Sequence, residues 1–316
     1  MKHHVSIIDH AEILSKLKNT RLGNHKKIII DTDAYNSIDD QFALVHMLLS
    51  ENIRSDIKIL GITATPFYKE LRQTTSYEHG MELSYKEIYN VIDTLDFEWN
   101  GPIKKGSSIS LDETDGTFVE SDAADFICNI ANSNKENDPP IYVLALGALT
   151  NIASAILKDP SIRNNIVVCT LGGVPFDLYG FNDFNYQQDI TSAKFIFSCG
   201  VPIVHFPTFS VTEQLRTSKW ELKANLNDKP ISNFLYNRYI EFVDEYPGSN
   251  KPIWDLAPGA WVINSDWFIS KIIQTKEFTT NNTWTIQPEN HPIRSVLWVD
   301  RDKIFKDLFN LINNNS

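Results

Sequence analysis

The chain has 316 residues, 42% hydrophobic and 22% charged, an ordinary globular composition and a length that one large α/β domain can fill. Its 29 basic and 40 acidic residues leave a net charge of −11, which argues against a nucleic-acid or anionic-membrane partner and fits an enzyme of small metabolites. The three cysteines, Cys128, Cys169 and Cys199, stand in apolar settings without a CxxC pair, as expected of buried free thiols in a reducing cytoplasm.

Residues 1–24 alternate charge with short apolar groups and have no continuous hydrophobic core, so they read as neither a signal peptide nor a membrane span. Ile8, Ile13, Leu14 and Leu17 predict an amphipathic leading helix on the outside of the domain. The expectation is a soluble, cytoplasmic protein. Ile28–Ile30 then reads as a buried parallel strand, and Ile38, Phe42, Val45 and Leu49 recur at helical spacing. A second strand is predicted over 57–64, a helix over 84–95, a turn-rich stretch over 100–116 and a helix around 123–130. After Pro139-Pro140, residues 141–146 form the clearest central strand, and Gly147–Ala153 turns into a helix. Further strands are predicted at 166–171 and 201–206, with a helix at 189–199 between them. Helices at 231–246 and 255–264, strands at 283–286 and 295–299 arranged as a hairpin, and a closing helix at 301–311 complete the chain. Repeated strand-then-helix alternation predicts an α/β fold: an open, mostly parallel twisted sheet with flanking helices, Rossmann-like, in a single domain over 1–316.

In such sheets ligands bind beyond the carboxyl ends of the strands. The first strand ends in Asp31-Thr32-Asp33, and the next helix opens with Asp39-Asp40, so four carboxylates converge on one junction. They repel one another unless protons, basic neighbours or a cation compensate them. A hard cation such as Ca²⁺ takes oxygen ligands, and Asp33, Asp40 and the carbonyl of Leu146 offer three. A second reading needs no function. Ser37 as N-cap with Asp40 three residues on fits a capping box, and acids in a first turn favour the helix dipole by about 0.3–1 kcal/mol each. Capping leaves Asp31 and Asp33 unexplained.

The Asp31-Thr32-Asp33…Asp39-Asp40 run resembles the N-terminal aspartate signature of the inosine–uridine-preferring nucleoside hydrolase family, with a loop two residues longer where the family has Pro-Gly-x. Four further segments match in order: Leu144–Ala153 with its Leu149-Thr150-Asn151, Leu171-Gly172-Gly173, Asp183–Asp189, and Trp254-Asp255-Leu256-Ala257. His291–Arg294 echoes the family's last strand. The resemblance implies the nucleoside hydrolase fold and Ca²⁺-dependent hydrolysis of the N-glycosidic bond of ribonucleosides to ribose and free base. It implies Asp33, Asp40, the Leu146 carbonyl and Asp255 as metal ligands, with Asp33 also the general base on a metal-bound water. Asp39, Asp183 and Asn185 would hold sugar hydroxyls, and Asp31 would support the cluster from behind. A homodimer or homotetramer is also implied.

The chain departs from the family pattern at several places. Asp183 stands where the family has Glu, and Ala64-Thr65-Pro66-Phe67 replaces a Gly-Asn. Asn182, or Asp177 in the same loop, would stand in for another loop Asn. Trp254 replaces a His that can protonate the leaving base; an indole cannot, so Trp254 either stacks on the base or packs before a helix. His79 reads as a surface histidine and His205 as a hydrogen-bonded core histidine. Phe234, Tyr236, Tyr239 and Phe242 read as core rather than lid, and Glu241, Asp244 and Glu245 as a solvated face. Two other classes compete with the hydrolase. One is a non-catalytic nucleoside- or sugar-binding protein on the same scaffold. The other is a Mg²⁺ phosphatase of the haloacid-dehalogenase type, which the Leu149–Asn151 and Asp255 segments do not serve.

Overall fold

A computed structural model describes residues 9–135, 138–178, 183–243, 250–281, 283–286 and 291–314. Ile8, Asn182, Asp244 and Glu245 lie outside the described residues. The chain opens with α1 (His10–Lys16), β1 (Lys26–Thr32), α2 (Asp39–Ile53), β2 (Ile57–Ala64) and α3 (Tyr77–Ile92). It continues through β3 (Ile103–Lys104), α4 (Asp122–Ser133), β4 (Ile141–Ala145), α5 (Thr150–Lys158), β5 (Ile166–Leu171), α6 (Phe184–Gln187), α7 (Ile190–Ser198) and β6 (Ile203–Phe206). The last third holds β7 (Arg216–Ser218), α8 (Lys219–Asn225), α9 (Pro230–Val243), β8 (Asn250–Pro252) and α10 (Leu256–Ile263). It closes with β9 (Phe268–Gln274), β10 (Glu277–Phe278), β11 (Trp284–Thr285), β12 (Pro292–Val299) and α11 (Arg301–Asn314).

Eight strands form one sheet in the order β3-β2-β1-β4-β5-β6-β12-β9. All neighbours are parallel except the edge pair β12 and β9. The α/β class expected from the alternation is the one observed. Helices cover both faces, which is why the central strands read as continuous apolar runs. Side chains alternate between the two sides: Ile28 and Ile30 join the core under α2, α10 and α11, while Ile29 joins the one under α4, α5 and α7. Among the described residues no helix is long and apolar enough to cross a membrane.

Three sequence expectations are corrected. The third helix begins at Tyr77 rather than at 84, because Ser76 caps it by accepting from the His79 N–H. Residues 283–286 and 295–299 do not form a hairpin. The short β11 pairs with β10, whereas β12 lies between β6 and β9 in the main sheet. The edge strand β9 was not expected, since its exposed apolar and polar residues do not alternate cleanly.

The order of strands fixes where a ligand can sit. From β1 the chain moves outward to β2 and the edge strand β3 and then crosses to β4 on the other side of β1. Beyond the carboxyl ends of β1 and β4 the crossing helices diverge and leave a crevice. The ends of those two strands carry Asp31, Asp33 and Leu146.

Candidate active site

A cavity of about 220 Å³ occupies this crevice. It is lined by Asp33, Asp39, Asp40 and Asp255, by Leu146 and Asn185, and by the rings of Phe184, Phe209 and Trp254. A wider groove of about 1250 Å³ lies at the other end of the sheet, beside Lys26 and Asn164, and contains none of these acids.

Local bonds explain how the acids come together. Asp31 is fully buried, and its Oδ1 accepts from the Thr63 hydroxyl and from Asn151 Nδ2 at 2.8 Å. Asn151 thereby ties α5 to β1. Burial drives the Asp31 carboxyl up to about 7, against those two bonds. Asp31 thus sits behind the cavity, as expected. Asp33 follows on a turn in which the Asn36 N–H donates to the Asp33 carbonyl at 2.7 Å and Asn36 Nδ2 donates to Asp33 Oδ2 at 3.0 Å. The longer loop is firmly held, because Arg72 Nε donates to the Asn36 carbonyl at 2.7 Å and Gln41 Nε2 to the Ala34 carbonyl at 3.2 Å. The backbone after β4 approaches so closely that a Cβ at Gly147 would stand 2.7 Å from Thr65 Oγ1 and 3.0 Å from Asp33 Cγ, so a larger residue there would displace one or both side chains.

The capping box expected at Ser37 is not formed. Ile38 occupies the N-cap of α2 without a side-chain cap, and the Ser37 side chain bonds Asp39 instead. Helix capping therefore does not account for Asp39 and Asp40, which face the cavity. Oxygens of Asp39, Asp40 and Asp255 all lie within 4.8 Å of one another, and Asp255 is within hydrogen-bond reach of both others. Two carboxylates approach that closely only with a proton or a cation between them. Burial, then repulsion from Asp39, pushes Asp40 up to about 7. Asp33 and Asp255 are driven well above the usual carboxylate range by burial and by the surrounding acids. Asp39 is the exception. Burial raises it too, but Lys251 Nζ at 3.0 Å from its Oδ1, with bonds from Ser37 and Asp255, holds it below the ordinary value.

The donor set is oxygen only and buried, which fits a hard divalent cation and offers nothing to a soft one. Asp40, Asp255, Asp33 and Leu146 line one cavity. Leu146 O also accepts from Asn185 Nδ2 at 2.7 Å, and the same nitrogen reaches Leu171 O at 3.1 Å. Asn185 therefore steadies that carbonyl. Asp183 lines the cavity but caps α6, accepting from the Tyr186 N–H at 3.0 Å and from the Thr208 hydroxyl at 2.8 Å. Trp254 lines the cavity with its Nε1 unbonded and the Lys251 ammonium 4.5 Å from its ring centre. Asp177, in contrast, is exposed beside Lys276, 3.3 Å away.

Other residues behave as read. His205 is buried, bonds the Gly172 carbonyl through Nε2 at 2.9 Å and is pushed down to about 4 by burial. Tyr239 and Phe242 are core, and Phe234 and Tyr236 pack against it. His79 lies at the surface end of α3 beside Thr75.

Sequence reasoning missed Lys251, Asn36, Lys69 and the aromatic lining from Phe184 and Phe209. Lys69 follows the end of β2 by five residues, so the strand-end rule applied to that loop would have found it. Lys251 lies four residues before Asp255 and gave no periodic signal.

A family model described as inosine-uridine preferring nucleoside hydrolase matches residues 28–306. The chain belongs to that family. As a nucleoside hydrolase it is an enzyme that cleaves N-glycosidic bonds. It is 29% identical over 244 residues to Uridine nucleosidase 1 of Arabidopsis thaliana, covering 71% of this chain and 68% of that protein. Among solved structures, a purine-preferring ribonucleoside hydrolase from Gardnerella vaginalis superposes with a TM-score of 0.68 at 19% identity, over 92% of this chain and 99% of that one. An inosine-guanosine nucleoside hydrolase gives 0.70 at 16% identity with the same coverage. These likenesses establish the nucleoside hydrolase fold, and family membership retires the phosphatase reading.

Proposed function

We propose that the protein hydrolyses ribonucleosides to ribose and free base in a Ca²⁺-dependent reaction, with Asp33 as general base. The observation that carries this reading is the buried acid cluster at the β1–β4 crevice, which gathers more carboxyl groups than its basic neighbours can compensate. Asp33, Asp40, Asp255 and the Leu146 carbonyl would hold the cation. Lys251 already compensates Asp39, which argues for Asp39 as a sugar contact rather than a ligand. When bound, a divalent cation makes water more acidic and neutralises the cluster.

The protein's own residues supply the rest. Asp33 takes the proton of the attacking water. Asp39 accepts from a ribose hydroxyl, and Asn185 orients the sugar from the other wall. Cleavage gathers positive charge on the ribose, and a pocket of carboxylates stabilises that charge. Trp254 offers part of its ring to the base. The kinship to uridine nucleosidase makes uridine the first substrate to try.

The test is incubation of the protein with uridine, cytidine, inosine, guanosine and adenosine, reading the reducing sugar. Release in Ca²⁺ that stops on chelation and returns with Ca²⁺ is the expected result. No release from any of the five overturns the hydrolase reading. Ribose binding without release would favour a binding protein on this scaffold.

A further inference from the structure

Breaking a C1′–N bond places charge in two locations: positive on the ribose and negative on the departing nucleobase. The carboxylates serve only the first. Among the described residues lining the cavity, Lys69 is the one with a positive charge. Its ammonium is 3.3 Å from Asn36 Oδ1 and 5.1 Å from the centre of the Phe184 ring. Phe184, with Phe209 and Trp254, forms the aromatic part of the lining, where a flat nucleobase gains most contact.

Lys69 is not held like an ordinary surface lysine. Its N–H donates to Thr74 Oγ1 at 2.7 Å, and the Thr74 hydroxyl donates back to the Lys69 carbonyl at 3.1 Å. The Arg72 N–H reaches the same carbonyl at 2.9 Å, and the preceding residue, Tyr68, donates its N–H to Gln188 Oε1 at 2.7 Å. Thr74 is itself buried. This bonding fixes the loop after β2 so that the side chain enters the cavity.

We propose that Lys69 is a catalytic residue, whose ammonium hydrogen-bonds the departing nucleobase and stabilises the negative charge developing on it. The role rests on the hydrolase reading above. In the step, the oxygen of water bonds to C1′ and one of its protons passes to Asp33. The C1′–N bond breaks, and its electron pair stays on the nucleobase beside the Lys69 ammonium. The nucleobase then takes a proton from solvent, and Asp33 returns its own to solvent. Asn36 spaces the two groups: its Oδ1 faces Lys69 while its Nδ2 holds Asp33.

Two substrates that differ only in leaving group test this. One is the best nucleoside from the panel; the other is 4-nitrophenyl β-D-riboside, whose phenolate leaves without help. For Lys69→Met we expect kcat on the nucleoside to fall about 100-fold, the usual cost of one donor to a developing anion, and kcat on the nitrophenyl riboside to fall less than about 5-fold. Lys69→Arg should recover at least about tenfold on the nucleoside. Equal losses on both substrates would overturn the proposal, since they would place Lys69 behind Asp33 or the fold rather than at the leaving group. So would an unchanged rate on the nucleoside. A wild type inert toward both substrates overturns the hydrolase reading and the Lys69 role with it. A wild type that cleaves the nitrophenyl riboside alone overturns the Lys69 role only. Melting curves of both variants establish that they fold.

Discussion

At the start of β1, Lys26 directs its ammonium to Asp56 at 2.9 Å, to the Arg21 carbonyl at 2.6 Å and to the Ile263 carbonyl at 3.4 Å. Asp56 also accepts from the Gly23 N–H at 2.7 Å. Seven residues on, past the other end of the same strand, Asp33 meets Asp39, Asp40 and Asp255; the ammonium of Lys251 pairs with Asp39, and Lys69 offsets Asp33 only in part. Both ends bury a Lys–Asp pair at about the same separation, 2.9 and 3.0 Å. Their electrostatics differ. Although burial raises Asp56, its bonds from Lys26 and Gly23 outweigh that and hold the carboxyl low, while Asp33 and Asp255 are driven high. A buried charge whose partners are complete contributes to structure. Buried charge in excess of its partners persists only where a ligand or a reaction uses it.

The largest effect that tests this contrast is on Asp33. Asp33→Asn should lower kcat on nucleosides by about 10³-fold, the scale of a lost general base, while the melting temperature in chelator rises because one repelling carboxylate is gone. A melting temperature that falls instead would break the contrast. Next, Lys251→Met should destabilise the chelated protein by about 3 kcal/mol or more, since Asp39 is left buried among acids, and Ca²⁺ should recover part of that loss. The same variant should raise KM for the nucleoside. Lys26→Met should cost about 3 kcal/mol in denaturant unfolding, with Ca²⁺ making no difference and kcat unchanged at low temperature. Equal sensitivity of the two lysine variants to Ca²⁺ would contradict the comparison.

The smallest effect belongs to a third buried group, His205, which lies among Phe176, Phe197, Tyr186 and Trp284 with Nδ1 unbonded. Its folded pKa, about 4, lies below the ordinary value of 6.5, so the folded state binds fewer protons than the unfolded state. Its contribution is therefore present above pH 6.5 and is lost as pH falls towards 4. His205→Phe should lose about 2 kcal/mol less than wild type between pH 7 and pH 5, measured by urea unfolding at both.

Much of this was legible in the residue order. The apolar runs at 28–30, 57–64, 141–146 and 166–171 predicted parallel strands because both faces of such strands are buried, and periodicity records that directly. The acids at the end of β1 were conspicuous because like charges rarely gather without cause. The capping reading failed for a local reason that residue types do not reveal: the Ser37 side chain bonds Asp39, two residues on, and the N-cap falls one residue later, on Ile38.

By itself the sequence determined the strand-and-helix order, the junction of Asp31, Asp33, Asp39 and Asp40, and the family, since these depend on local period and on motifs a few residues long. Only the tertiary structure decided which charges are compensated. Lys251 reaches Asp39 across 212 positions of chain and Asn151 reaches Asp31 across 120. Lys69 meets Asn36 only because β1 and β2 lie side by side. Coulomb energy depends on separation in space, which residue order does not record, and the excess charge at this crevice becomes visible only when the sheet brings its strand ends together.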